Sequence, residues 1–340
     1  VIQIYKAERL TSGARDALQI FMGGGGGAGF AAAWQEDPAG LRPGSGAGPG
    51  HGFSGATVSN KTDIWYSWIG WGSNFSAIDV NDVPGSDAQD QLNEDGTPRV
   101  RALNPFKMAV RITDNDACNE DNMYHEFGVP TSGHPHCASL CASMYYVVSN
   151  EKNVCVTPDG RLLNGDTGAS RPNLFLQPYM KPDGTKSAWA ILAYEESKGM
   201  GFPPEVEGED EEDRYKADLG KNVIYHSFDF TAPETVSGGG IVNLPEMNGG
   251  VPVYAVDEFG SPLLDPLGRE QLAYENARRV RLLPQPKSKA VDSKNKTVLV
   301  TLYRQGEEGH GKAADIFMRR ITLGAPGNPY AYKNFVPEAQ

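Results

Sequence analysis

The sequence predicts an all-β chain in which short antiparallel sheets recur, and three observations carry that prediction. Three runs share one pattern: "FAAAWQED" (30–37), "WAILAYEES" (189–197) and "TVLVTLYRQG" (297–306) are apolar or alternating, end in an aromatic residue and close on a polar pair. Each is followed by a loop and a second strand-like run, "KTDIWYSWI" (61–69), "GKNVIYHSFDF" (220–230) and "GKAADIFMRRI" (311–321). Finally, 40 Gly and 24 Pro among 340 residues exceed the roughly 12% of average proteins, which calls for many turns.

The unit is constant and its loops are elastic. From the aromatic to the Asp or Asn opening the second run the separation is 29 residues for Trp34 to Asp63, 28 for Tyr194 to Asn222 and 12 for Tyr303 to Asp315. An arginine stands 23 to 25 residues before each aromatic, at Arg9, Arg171 and Arg279, and strand-like runs such as "NLFLQPY" and "RVRLLPQ" lie between. Period-2 or continuous apolar runs with aromatic enrichment and intervening turn residues mark repeated antiparallel sheets. Such units bury their faces only by stacking, and a β-propeller does this radially. A β-sandwich with chance recurrence of strands is the other architecture this pattern allows. A fourth, degraded copy is expected around 98–113, "PRVRALNPFKMAVRIT". The best helical stretches, "SGARDALQIF" (12–21) and "GREQLAYENARR" (268–279), read as decoration on loops, and "GGGGG" (23–27) as a flexible hairpin or crossing.

Charge and composition exclude several functions. The net charge of −12 repels phosphates and disfavours nucleic acid or an anionic membrane as partner. No run approaches the about 18 apolar residues of a membrane span, so no transmembrane segment is expected. The first residues lack a signal peptide, and the missing initiator Met reads as a mature or trimmed product. No Gly-x-Ser-x-Gly elbow and no Cys-x-x-Cys-His occur, which leaves nucleophilic hydrolysis without support and excludes attached c-type haem.

Cys118, Cys137, Cys141 and Cys155 fall within 38 residues. An even count in a polar, loop-like setting reads as two disulfides formed in an oxidising compartment, with three pairings open. They define a disulfide-pinned insertion at about 114–156 within a single propeller-type domain spanning 1–340. His134, His136, Cys137 and Cys141 could hold zinc or copper, although their spacing follows no standard module and oxidised cysteines cannot ligate. "DNDACNEDN" (114–122) supplies Asp114, Asp116 and Asp121, oxygen ligands of the kind calcium takes, which the nearby disulfides would preorganise. Asn60, Asn74 and Asn295 lie in N-glycosylation sequons, which matter only in a eukaryotic secretory pathway.

The phrases "WQEDPAGLRPG", "NGDTGASRPNLF" and "ADIFMRRI", in an order that runs across most of the chain, resemble the sialidase-type propeller and, more narrowly, the bacterial secreted choice-of-anchor O proteins. The resemblance implies about six blades, incomplete in this chain, and a secreted, extracellular or cell-surface location, with the periplasm as the other compartment. It also implies a non-catalytic binding or structural module of a larger assembly, with a surface glycan or a protein as partner. The alternative is a sialidase-like glycosidase or lyase using carboxylates near the axis. Sialidases clamp a carboxylate with three arginines, and Arg9, Arg171 and Arg279 are the candidates for such ligand binding. The structural reading is that they bridge neighbouring blades through carboxylates such as Glu36 and Glu196. "KPDGTKSAW" (181–189) and "TPDGRLL" (157–163) approach the Asp-box turn motif but lack its serine and full spacing.

Overall fold

The computed structural model describes residues 10–11, 16–25, 28–37, 62–70, 106–115, 140, 143–147, 152–156, 162–163, 167–181, 183–197, 220–236, 240–243, 246–247, 251–252, 254, 256–257, 259–264, 267–270, 275–284, 297–307, 314–323 and 333–335. Among them the fold is almost entirely antiparallel β-sheet, and no sheet closes on itself.

Sheet 1 comprises β1 (Asp16–Gly25), β2 (Gly29–Asp37), β3 (Asp63–Gly70) and β4 (Val110–Arg111), paired in chain order. A three-stranded sheet follows, of β5 (Ser143–Val147), β6 (Lys152–Val156) and β7 (Leu162–Leu163). Sheet 2 comprises β8 (Ala169–Met180), β9 (Lys186–Ser197), β10 (Lys221–Asp229) and β11 (Gly240–Ile241). A two-stranded excursion, β12 (Glu246–Met247) and β13 (Val251–Pro252), leads to sheet 3. That sheet comprises β14 (Glu275–Pro284), β15 (Thr297–Glu307), β16 (Ala314–Leu323) and β17 (Lys333–Phe335). The three aromatic-ending runs are β2, β9 and β15, each second in its sheet, and the runs that follow are β3, β10 and β16.

Three expectations are corrected. Residues 16–21 and 275–279, read as helical, are strand, because each run alternates against a strong second strand with which it pairs. The segment expected as a degraded fourth copy instead supplies β4, the outer strand of sheet 1. The glycine run is corrected only in part: Gly23–Gly25 are the regular end of β1, and Gly25 pairs with Gly29 across the β1–β2 hairpin, while Gly26 and Gly27 lie outside the described residues. A Cβ on Gly25 would stand 3.2 Å from the Ala188 Cβ and 3.3 Å from that of Leu176, so the run lets two sheets approach closely.

The sheets stack face to face with sheet 2 in the middle. Ala31, Ala33, Ile64, Tyr66 and Ile112 of sheet 1 share a core with Leu174, Leu192, Tyr194, Ile224 and Phe228 of sheet 2. The other face of sheet 2, carrying Ile191, Ala193, Val223, Tyr225 and Val242, packs on Ala277, Val280, Leu282 and Tyr303 of sheet 3. Register makes these two interfaces equivalent. Aligning Trp34 with Tyr194 places Ala31 and Ala33 over Ile191 and Ala193, and β3 places Ile64 and Tyr66 over Val223 and Tyr225. Each sheet therefore has a leading face turned toward the next sheet and a trailing face turned toward the one before, and the stacking is head to tail. Sheet 2 is buried on both faces, which is why β9 reads as a nearly unbroken apolar run.

The outer strands of sheets 1 and 2 are held by the same device. Thr113 Oγ1 accepts from the Ile64 amide (2.9 Å) and donates to Asp63 Oδ1 (2.8 Å). Asn243 Oδ1 accepts from the Val223 amide (2.6 Å), while its Nδ2 donates to Asn222 Oδ1 (3.0 Å). The Asp or Asn that opens the second run is thus an acceptor that fastens the fourth strand.

Candidate functional site

Two of the arginines singled out in the sequence, Arg171 and Arg279, lie where β8 and β14 are irregular, and β1 is irregular in the same way. In each of these first strands two residues oppose one, forming a bulge between Leu18 and Phe21, between Ser170 and Asn173, and between Arg278 and Arg281. The pairs flanking each bulge leave Trp34, Tyr194 and Tyr303 opposite it. The first bulge residue has positive φ each time: Gln19 (50°), Arg171 (52°) and Arg279 (61°), a conformation that costs of order 1–3 kcal/mol for a non-glycine residue. Gln19, not an arginine, holds this position in sheet 1, and Arg9 lies outside the described residues.

Glu195, fully buried on β9, ties two of the bulges together. Its Oε2 lies 3.1 Å from Arg171 Nη1 in its own sheet, and its Oε1 accepts from the Arg279 amide of sheet 3 (2.8 Å). A second crossing runs beside it, from the Leu282 amide to Asn173 Oδ1 (3.1 Å). Buried Lys221 donates from Nζ to Ser170 Oγ (3.1 Å) and from its amide to Asn276 Oδ1 (3.2 Å). The sheet-bridging carboxylate is therefore Glu195, next to the anticipated Glu196.

The other anticipated carboxylates are equally enclosed. Glu36 Oε1 accepts from Trp34 Nε1 (2.8 Å). Asp63 accepts from Thr113 Oγ1, from the Asn115 amide (2.8 Å) and from Arg111 Nε (2.9 Å). Glu36, Asp63, Glu195 and Glu196 are all buried. Thr62 and Ala169 lock sheets 1 and 2 nearby by a reciprocal pair of 2.8 Å bonds.

Tyr194 sits above this seam, and its hydroxyl shares a 2.9 Å hydrogen bond with His226 Nε2, the two rings stacked at 5.7 Å. Burial, then the charges of Glu196 and Asp63, holds its hydroxyl well above the usual tyrosine value. Tyr66 shifts the same way, by burial and then Asp229, and donates to the Phe230 carbonyl at 3.0 Å. Both tyrosines stay protonated as hydrogen-bonding core residues.

Of the metal candidates, Asp114 lies 2.7 Å from Arg111 Nη2, while Asp116, Asp121, His134 and His136 are outside the described residues. Cys118, Cys137 and Cys141 are also outside them, and only the backbone of Cys155, in β6, is described. The bulges were missed from sequence because "LQI", "SRP" and "RRV" share no chemistry, and a positive φ on a non-glycine residue leaves no compositional trace. No family model, curated protein or solved structure matches the chain.

Proposed function

We propose that the chain is an arc of a sialidase-like β-propeller and works outside the cell, or at its surface, as a non-catalytic binding or structural module. One observation carries this reading: the carboxylates that recur beside the aromatic residues are buried and taken up by contacts to the strands. Glu195 joins the bulges of sheets 2 and 3, Asp63 fastens the fourth strand of sheet 1, and Glu36 caps Trp34. A glycosidase needs two carboxyl groups facing a substrate, one to give a proton and one to attack or to activate water. Buried carboxylates whose lone pairs serve strand contacts cannot do that without opening the stack. The head-to-tail order of three like sheets supports the propeller, since radial stacking uses each sheet's two faces in this way. Recognition of a surface glycan or a protein then falls to the inter-strand loops.

The test is a glycan panel scored for both retention and new reducing ends. The reading expects retention on a subset of glycans with no release above a chain-free control. Release that disappears in Glu195→Gln or Glu36→Gln would overturn it in favour of a glycosidase or lyase.

A further inference from the structure

The outer face of sheet 3 is apolar and open. Register carries the face of sheet 2 that packs on sheet 3, with Ile191, Ala193, Val223 and Tyr225, onto Val300, Leu302, Ile316 and Met318. Ile316 is 74% exposed, Met318 44%, and Leu283, the cross-strand partner of Val300, 48%.

The charged side chains described on this face are all arginine. Arg278 and Arg304 are direct cross-strand partners, and Arg281 opposes Leu302 in the next row. Like charges set opposite each other are destabilising, and an anion between them removes the repulsion. Arg278 Nε donates to Asn276 Oδ1 (2.7 Å), whereas Arg281 and Arg304 are exposed and form no ion pair among the described residues. In a chain of net charge −12 the sign is locally reversed here.

The face is also graded along its strands. Arg278, Arg304 and Ile316 form one row, Arg281, Leu302 and Met318 the next, and Leu283 and Val300 a third, the rows about 7 Å apart. A partner lying along β15 meets cations at one end and aliphatic side chains at the other. Sheet 2 shows what such a face accepts, since protein covers its counterpart: Glu195 and Asn173, at the positions of Arg304 and Arg281, accept hydrogen bonds from sheet 3. Arginine only donates, so a cover for sheet 3 must bring the acceptors itself.

We propose that the outer face of sheet 3 docks an acidic, amphipathic segment of a partner protein, its carboxylates on Arg281 and Arg304 and its apolar side chains on Leu283, Val300 and Met318. This goes beyond the module reading, because it uses a sheet face and not the inter-strand loops. Glycan retention and peptide docking can therefore fail independently.

The probe is a short capped peptide, Glu-rich in one half and rich in Leu and Val in the other, titrated against the full chain beside the same peptide with Lys in place of Glu. The acidic peptide is expected to bind, more weakly as salt rises, and the basic one is not. Arg304→Glu and Ile316→Asp, both at exposed positions, should each weaken binding about ten-fold or more with thermal unfolding unchanged. Combining Arg281→Glu with Arg304→Glu should exchange the preference, so that the basic peptide binds. Absence of binding by the acidic peptide, equal binding of the two peptides, or binding indifferent to these substitutions would overturn the proposal. So would a wild-type dimer that Ile316→Asp dissociates, since a second copy would then occupy the face.

Discussion

Sheets 2 and 3 are built alike and live differently. Both are four-stranded meanders with a bulge opposite a tyrosine, yet sheet 2 is covered on both faces and sheet 3 on one. The second strands record this. β9 is buried from Ala190 to Ser197, whereas β15 alternates, with Thr301, Tyr303 and Gln305 buried and Arg304 exposed between them. The same structural position thus carries a carboxylate tie in one sheet, Glu195, and a solvent-facing cation in the next, Arg304. Position within the four-stranded sheet sets the backbone, while the neighbour sets the side chain.

Substitutions at matched positions should widen that contrast. The largest effect is expected from Ile191→Ala, fully buried between sheets 2 and 3, at about 2–5 kcal/mol in urea unfolding for a core truncation. Its counterpart Val300→Ala, only half-buried on the outer face of sheet 3, should cost about 1 kcal/mol or less. Next comes Glu195→Ala, which strands the Arg171 guanidinium and the Arg279 amide and should cost about 3 kcal/mol. Arg304→Ala should stay within about 0.5 kcal/mol. Equal losses within either pair would erase the distinction between the sheets.

A smaller effect concerns Tyr194. Tyr194→Phe leaves His226 without its 2.9 Å partner and should cost about 1–2 kcal/mol near neutral pH. Because burial holds the folded pKa above the ordinary 10.0, the native state keeps a proton that the unfolded chain sheds. Stability is therefore fully present below pH 10.0 and lost as pH rises beyond it. Thermal melts across that boundary should show the loss reduced in Tyr194→Phe, and likewise in Tyr66→Phe, whose pKa is raised for the same reason.

A further contrast lies at the bulges. Gln19→Gly relieves a positive φ but loosens the unfolded chain, so its net change should be within about 0.5 kcal/mol of zero. Arg171→Gly makes the same backbone exchange but leaves the fully buried Glu195 carboxylate without its guanidinium, and should be destabilising by about 3 kcal/mol. If the two variants behave alike, the Arg171–Glu195 pair contributes nothing.

Most of the strand order was legible because hydrophobic alternation and a closing aromatic are local signals, readable at Trp34, Tyr194 and Tyr303. The first strands were harder to read. "DALQIFMGGG" and "ENARRVRLLP" carry a two-residue bulge that breaks period 2 in the middle, and that shift imitates helical spacing. The carboxylate tie was misplaced by one residue for a related reason. Glu195 and Glu196 point to opposite faces of β9, and only the location of sheet 3 says that Glu195 is the one that reaches its bulge. Burial of the recurrent acids could not be read at all, since an acidic residue after an aromatic looks the same in a loop as in a sealed seam.

The bulges also bear on which edges could pair with another strand. β1, β8 and β14 are edge strands of their sheets, and a flat edge with free amides and carbonyls invites pairing with a stray strand from another molecule. A left-handed residue in mid-strand bends and twists that edge, so no regular partner can run along its whole length. Gln19, Arg171 and Arg279 thereby make these edges poor templates for a further strand. Variants that straighten these edges should show it first as aggregation during refolding, before any loss of the native fold.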